Sequence, residues 1–244
     1  MTKRAIGLLV IVLVLALSFL LRDFYRPFWE PLYFRMAGLK TVDSVAAGLE
    51  PEVSGRLHPV FDAAGVHFPP SSLAFIILKE ERQLQVWASD DGPWKHVCAY
   101  DVLGASGKPG PKLREGDLQV PEGMYQIAAL HPNSQFHLSL KLDYPNAFDR
   151  QKAIEDGRTQ LGDEIFIHGG GSSIGCIAIG DSGIEDLFFL VDKVGCDSIE
   201  VIIAPRDFRS MPWKSGEYDG PKWLDKLYEE ISAGLESFGT AAAR

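Results

Sequence analysis

A histidine and a cysteine flank a short segment that is rich in glycine and serine. His168 follows the apolar residues 165–167, Cys176 precedes the apolar residues 177–179, and six of the seven residues between them are glycine or serine. Cysteine is a nucleophile as its thiolate, and a histidine within hydrogen-bond reach can accept the thiol proton. The backbone amides of Gly175 and Cys176 would then bind the oxyanion that forms at an attacked carbonyl. This pattern predicts acyl transfer or hydrolysis.

The same residue types also fit two other roles. His168 and Cys176 would be zinc ligands if His131 or His137 completed the site, but the chain has neither a C-x-x-C nor an H-E-x-x-H spacing. A cysteine that precedes Ile-Ala-Ile would also pack as a small buried apolar residue. Both alternatives stay open from the residue pattern alone.

A serine-esterase site is excluded by the order of the residues. Residues 171–175 match G-x-S-x-G, and residues 168–171 spell H-G-G-G. In α/β-hydrolases these motifs are separate, and the catalytic histidine follows the serine in the chain. No histidine follows His168 in this sequence, so this serine has no histidine base of that kind.

The elements that position this segment are predicted to be mainly short strands. Apolar and alternating runs bounded by turn residues predict seven strands: Leu73–Lys79, Arg82–Ala88, Trp94–Leu103, Gly123–Leu130, Phe136–Leu142, Glu164–His168 and Ser198–Ala204. Strands of this length and spacing predict a β-sandwich or a barrel-like domain.

Three helices flank the predicted strands. One begins at a Ser54 cap and ends near Gly65, and a second begins at a capping box of Ser182 and Glu185 and ends at Gly195. Apolar residues at helical spacing over 223–238 predict a third helix, with packing against the core as its role.

The amino terminus carries an apolar run over residues 5–21, with basic residues on both sides. As a helix these 17 residues span about 25 Å, which is at the short end of what crosses a bilayer. Because no small-x-small cleavage site follows, we expect an uncleaved signal-anchor, with a cleaved signal peptide as the alternative. The predicted fold is therefore a β-sandwich preceded by a transmembrane helix.

Charge and composition narrow the class of protein further. The 244 residues have a net charge of −9 and 46% hydrophobic residues, which excludes a disordered chain and argues against a nucleic-acid partner. Residues 1–26 hold four basic residues and one acidic residue, so the rest of the chain is near −12. Three cysteines do not make a disulfide scaffold, although Cys98 and Cys196 would pair in an oxidising compartment if they met.

The segment around His168 and Cys176 resembles the L,D-transpeptidase (YkuD-type) catalytic domain, and more closely its YafK-like branch. The signature of that family corresponds here to His168-Gly169 and to Ser-Ile-Gly-Cys at 173–176. Residues 112–125 resemble the family element G-D-x-x-T-P-E-G-x-Y, and blocks within 132–150 fit the branch. The spacing from histidine to cysteine is shorter than in many family members, and Ala178 stands where most of them carry arginine.

The resemblance implies a reaction and its residues. Cys176 would attack the carbonyl of the L,D-peptide bond of a peptidoglycan stem peptide and form a thioester. His168 would act as proton acceptor and donor, the Gly169 carbonyl would orient its ring, and Ser173 would support the site. An amine acceptor, such as another stem or an envelope lipoprotein, gives transpeptidation, whereas water gives hydrolysis.

Further implications of the resemblance concern the cleft, the cofactors and the compartment. Tyr125 and His137 would line the substrate cleft, and no cofactor or metal is required. The implied location is the bacterial cell envelope, with an inner-membrane anchor and a periplasmic catalytic domain. A hydrolase of L,D-bonds or of protein–peptidoglycan links is the alternative enzyme, and a catalytically silent peptidoglycan-binding module is the alternative of another class.

These expectations divide the chain into four parts. Residues 1–24 would form the signal-anchor, and residues 25–70 a juxtamembrane linker with a short helix. Residues 71–205 would form the catalytic domain, and residues 206–244 a helical extension.

Overall fold

The computed structural model describes residues 38–240. The signal-anchor that the sequence predicts at residues 5–21 lies outside this range. Among residues 38–240, none of the helices combines the length and the apolar character needed to span a bilayer.

The chain alternates short strands with four α-helices in the described range. The helices, numbered in chain order, are α1 Val42–Ala64, α2 Ala147–Glu155, α3 Asp181–Val194 and α4 Leu224–Leu235. The strands are β1 Ser72–Leu78, β2 Gln83–Ser89, β3 Lys95–Asp101, β4 Gly123–Ser134, β5 His137–Leu142, β6 Phe166–His168, β7 Ile177–Ala178 and β8 Ile199–Ala204. All seven predicted strands are present, whereas β7 and α2 were not predicted.

Helix α1 is longer than the sequence predicted. It begins at Val42 after a capping box between Thr41 and Ser44, and it ends at Gly65, which adopts a left-handed conformation with φ of 66°. The predicted start at Ser54 is wrong, since the residues before Ser54 also belong to the helix although their helical propensity is weak. Burial of one helix face against the core outweighs that low local propensity.

The strands form one mixed sheet of eight in the order β3-β2-β1-β8-β4-β5-β6-β7. Strand β4 pairs with β8 over Gly123–Gln126 and with β5 from Ile127 onward, so it belongs to both halves of the sheet. The prediction of a mainly β core with flanking helices is confirmed. The two halves that a sandwich would keep separate are continuous here, because β4 connects them through its backbone hydrogen bonds.

The two ends of this sheet approach each other. Leu103 and Gly104, which follow edge strand β3, donate backbone hydrogen bonds to the carbonyl of Ala178 in edge strand β7. The Ala178 amide returns a hydrogen bond of 2.8 Å to the Gly104 carbonyl. The sheet therefore curls back on itself at β7, the strand that follows Cys176.

The central strands are buried on both faces. In β1, Phe75 and Ile77 pack into a core that α1 and α3 share, whereas Ile76 packs into a second core formed largely by α4. This division follows from the two-residue period of a strand. Helix α3 ends at Gly195 as predicted, but it begins directly after Gly180 without a side-chain cap, so the predicted capping box at Ser182 is wrong.

Candidate active site

The parallel pairing of β6 with β7 sets His168 at the end of one strand and Cys176 directly before the neighbouring strand. The two strands are parallel, with Ile167 opposite Ile177 and His168 opposite Ala178. Cys176 lies one residue before this paired segment, and it lines the same cavity as His168. The glycine- and serine-rich loop makes the connection that the parallel pairing requires.

The His168 ring is held at both nitrogens. Its Nδ1–H donates a hydrogen bond of 2.6 Å to the Gly169 carbonyl, and its Nε2 lies 3.1 Å from Ser173 Oγ. A carbonyl can only accept, so Nδ1 carries the proton and Nε2 keeps its lone pair. Burial lowers the pKa of His168, which keeps the imidazole neutral near pH 7. The ring is therefore in the form that can accept a proton at Nε2.

Cys176 is a half-buried thiol. Its Sγ donates a hydrogen bond of 3.5 Å to the Glu164 carbonyl. Burial raises the pKa of the thiol, and this effect outweighs a backbone hydrogen bond from Phe166 and the positive charge of Lys112. Cys176 is therefore protonated near pH 7 and needs a base in order to react.

A cavity of about 580 Å³ is lined by both His168 and Cys176. Its wall includes Phe136, whose ring lies 4.6 Å from the His168 ring, measured between centroids. A smaller cavity of about 220 Å³ also reaches Cys176 and is bordered by Lys112 and Glu115. Cys176 therefore borders two cavities.

The loop that carries Cys176 rests on residues 104–106. The Gly175 amide donates a hydrogen bond of 2.7 Å to Ser106 Oγ, and the Ser106 hydroxyl donates to the Leu118 carbonyl, also at 2.7 Å. In this geometry the Gly175 amide is engaged rather than open to an oxyanion, which differs from the prediction. Nothing in the sequence around Ser106 marked it as part of the site, because 69 residues separate it from Gly175.

The two residues that the resemblance suggested for the cleft lie elsewhere. The Tyr125 ring is buried, and its hydroxyl donates to the Glu122 carbonyl at 3.2 Å, so it lines neither cavity. His137 also lies outside both linings, and its Nε2 is 2.8 Å from Glu185 Oε1. Phe136 and His131 line the larger cavity instead.

The other chemical possibilities at the cysteines can also be compared with the structure. Cys98 and Cys196 are thiols rather than halves of a disulfide, as is Cys176. Within residues 38–240, no three histidine, cysteine or acidic side chains are grouped so that they could hold a metal ion. The zinc alternative therefore has no support in the described part of the chain.

The pH dependence of Cys176 alkylation follows from these two pKa directions. Because burial raises the pKa of the thiol and lowers that of His168, the resting pair is neutral. The rate with iodoacetamide is expected to rise about 100-fold from pH 7 to pH 9, in proportion to the thiolate fraction. Mass spectrometry of a Cys98→Ser/Cys196→Ser background measures this rate. A rate that is already level below pH 7 would reveal a preformed thiolate and contradict the expectation.

Substitution of Gly104 is expected to disturb the loop. A Cβ at Gly104 would lie 2.8 Å from the Ser173 amide nitrogen and 2.9 Å from the Gly171 carbonyl oxygen. Gly104→Ala should therefore shift the loop and slow Cys176 alkylation about 10-fold, an effect of about 1.4 kcal/mol. Gly92→Ala is the control, since a Cβ there meets nothing within 4 Å. Equal rates in the two variants would show that the loop does not depend on this contact.

The residue pattern around His168 and Cys176 predicts a resemblance to the L,D-transpeptidase family, and the similarity of the whole sequence to known proteins bears on that prediction. A mixed sheet with flanking helices presents His168 at the end of one strand and Cys176 before the next. No protein-family model matches the sequence.

In particular, the chain resembles the Escherichia coli K12 protein named "Putative L,D-transpeptidase YafK", and the predicted resemblance to the YafK-like branch is confirmed. The two are 31% identical over 167 residues, which are 66% of this chain and 64% of the YafK protein. The protein of the same name from E. coli O157:H7 matches to the same extent. The chain therefore spans slightly less than two thirds of the length of these curated relatives.

Two solved structures show weaker similarity. The K307A mutant of the helical cell shape determining protein Pgp2 from Campylobacter jejuni is 21% identical, with 57% of this chain and 48% of that chain covered and a TM-score of 0.45. Bd1075 from Bdellovibrio bacteriovorus is 20% identical, with 70% and 58% covered and a TM-score of 0.42. Both TM-scores are below 0.5, so these two similarities add nothing to the sequence resemblance.

Proposed function

We propose that this chain is a cysteine-dependent L,D-transpeptidase that acts on peptidoglycan stem peptides. The observation that carries the proposal is that Cys176 and His168, whose Nε2 keeps its lone pair, line the same cavity of about 580 Å³. The name of the YafK relatives supports the class of reaction. The motif resemblance supplies the substrate, an L,D-peptide bond in a peptidoglycan stem.

The first step is activation of the thiol. His168 Nε2 accepts the Cys176 proton, and the Gly169 carbonyl holds the resulting imidazolium through Nδ1–H. Ser173 Oγ lies at the same nitrogen in the resting structure. The proton therefore passes through the Ser173 hydroxyl, or it passes directly once that hydroxyl has rotated away.

The second step is formation of a thioester. The thiolate attacks the carbonyl carbon of the L,D-bond, and the carbonyl oxygen becomes an oxyanion. Backbone amides near Cys176 stabilise this oxyanion; the Gly175 amide joins them once it leaves Ser106. When the intermediate collapses, the C–N bond breaks and His168 returns its proton to the departing amine. An incoming amine then attacks the thioester carbonyl and gives its proton to His168, the C–S bond breaks, and His168 returns the proton to Cys176.

The location of the reaction is part of the same proposal. A substrate in the cell wall requires the catalytic domain to lie outside the cytoplasm. Residues 5–21 would anchor the chain in the inner membrane, and the acidic remainder would face the periplasm.

The full chain incubated with purified tetrapeptide muropeptides tests the proposal. Mass spectrometry of the intact protein should show an acyl group on Cys176, and the products should include crosslinked dimers. Loss of the terminal D-amino acid without dimers would identify a hydrolase instead. Unchanged muropeptides together with an unmodified Cys176, in protein shown to be folded, would support a silent binding module and overturn both enzyme proposals.

A further inference from the structure

The peptide unit between Gly169 and Gly170 is bound at both of its polar ends. Its carbonyl accepts the hydrogen bond from His168 Nδ1–H at 2.6 Å, and its N–H donates to Asp181 Oδ1 at 2.8 Å. We propose that Asp181 is a positioning residue that acts on His168 through this peptide unit. The inference rests on the proposed function in one respect, that His168 is the base.

The carboxylate reaches the peptide because residue 169 is glycine. A Cβ at Gly169 would lie 2.6 Å from Asp181 Oδ1 and 2.5 Å from the Phe136 carbonyl oxygen. Real Cβ atoms do not approach neighbours this closely, so only glycine permits the contact. The Gly170 carbonyl also accepts a hydrogen bond of 3.0 Å from the Gly180 amide, which joins the loop to the start of α3.

A carboxylate that accepts from the N–H of a peptide unit changes the hydrogen-bond acceptor strength of the carbonyl oxygen in the same unit. The negative charge of Asp181 polarises the N–H bond and shifts electron density toward the carbonyl oxygen of the same peptide unit. The carbonyl therefore becomes a stronger acceptor for His168 Nδ1–H. The same charge favours the imidazolium that forms when the thiol proton is transferred. Asp181 would therefore offset part of the effect by which burial lowers the pKa of His168.

The other acidic groups at this end of α3 are committed to different partners. Glu185 accepts from His137 at 2.8 Å and from Arg56 at 3.4 Å. Asp186 accepts from Arg56 at 2.7 Å and from the Tyr100 hydroxyl at 3.0 Å. These groups link α3 to α1, β3 and β5, whereas Asp181 contacts the peptide next to His168.

The titratable groups on the cavity side of His168 lie on other elements. Cys176 precedes β7, Glu164 precedes β6 and His131 lies in β4, and all three line the larger cavity. Glu164 Oε1 pairs with Lys141 at 3.0 Å. Substitution of Asp181 leaves these groups unchanged. A change in the pKa of His168 in that variant can therefore be assigned to Asp181 and not to them.

The test is Asp181→Asn in the full chain, read by NMR titration of the histidine rings. The amide keeps an oxygen acceptor and removes the charge. The pKa of His168 is expected to fall by about 0.5–1, and the acid limb of the pH profile of kcat/KM should shift by the same amount. His168→Gln identifies the resonance of this ring.

A matched control separates this effect from general loss of a helix charge. Asp43→Asn also removes a carboxylate from the first turn of a helix, α1, without contact to the loop, and should leave the pKa of His168 unchanged. If Asp181→Asn unfolds, Asp181→Ser replaces it. An unchanged His168 titration in the folded variant would overturn the inference, whatever happens to activity. Full activity in His168→Gln would instead overturn the proposed function.

Discussion

Cys176→Ala is expected to abolish acylation of the protein and to lower the turnover of stem peptides by at least about 10⁴-fold. Removal of the nucleophile eliminates the covalent pathway rather than one interaction along it, and losses of this size or larger follow in comparable enzymes. The thiol is half-buried and donates a weak hydrogen bond to the Glu164 carbonyl. The fold should therefore survive, which a thermal unfolding curve will show.

The other two cysteines provide the matched controls for this variant. Cys98→Ala and Cys196→Ala remove the same chemical group from positions that line neither cavity next to Cys176. Both should keep the turnover within about 3-fold of the unsubstituted protein, as expected away from the reacting atoms. Substantial activity in Cys176→Ala, or loss of activity in either control, would place the nucleophile elsewhere.

Gly169→Ala is expected to produce the second largest loss. The added Cβ would overlap the Phe136 carbonyl oxygen and Asp181 Oδ1, both within 2.6 Å. The peptide that accepts the His168 Nδ1–H bond must then move, and the ring loses its orientation. We expect kcat/KM to fall about 100-fold, equivalent to about 2.7 kcal/mol. Overpacking should lower the free energy of unfolding by about 1–3 kcal/mol.

Gly171→Ala is the control for Gly169→Ala because it lies two residues further along the same loop. A Cβ there meets nothing within 4 Å, and the residue is exposed. Urea unfolding and the rate of Cys176 alkylation should both stay near those of the unsubstituted protein. If the two variants lose equal activity, the loss reflects stiffening of the loop and not displacement of the 169–170 peptide.

Local patterns predicted most of the secondary structure. Alternating and continuous apolar runs marked all seven of the predicted strands, because burial on one face leaves a two-residue period and burial on both faces leaves a continuous apolar run. Strand β7 was missed because two residues carry no period, and its pairing comes from His168 and Gly104 elsewhere in the chain. Helix α1 was predicted too short because its low propensity is overcome by packing against α3.

Local sequence patterns did not predict which strands pair with each other. A sandwich and a single curled sheet place the same alternating residues on the same strands. The difference depends on β4, whose 12 residues pair with β8 at one end and β5 at the other. The pairing of β4 with β5 is local, whereas the pairing of β4 with β8 joins residues about 75–80 positions apart, which no local pattern shows.

The sequence alone determined the residues that carry the proposed chemistry, since His168, Cys176 and the glycine-rich loop lie within nine consecutive positions. A motif this short can be recognised from the order of the residues alone. The tertiary structure decided what surrounds it: Asp181 on the Gly170 amide, Ser106 on the Gly175 amide, and Tyr125 away from the cavity. These contacts form because the curled sheet brings the end of β3, the start of α3 and the loop together. No local sequence pattern shows that these three segments meet.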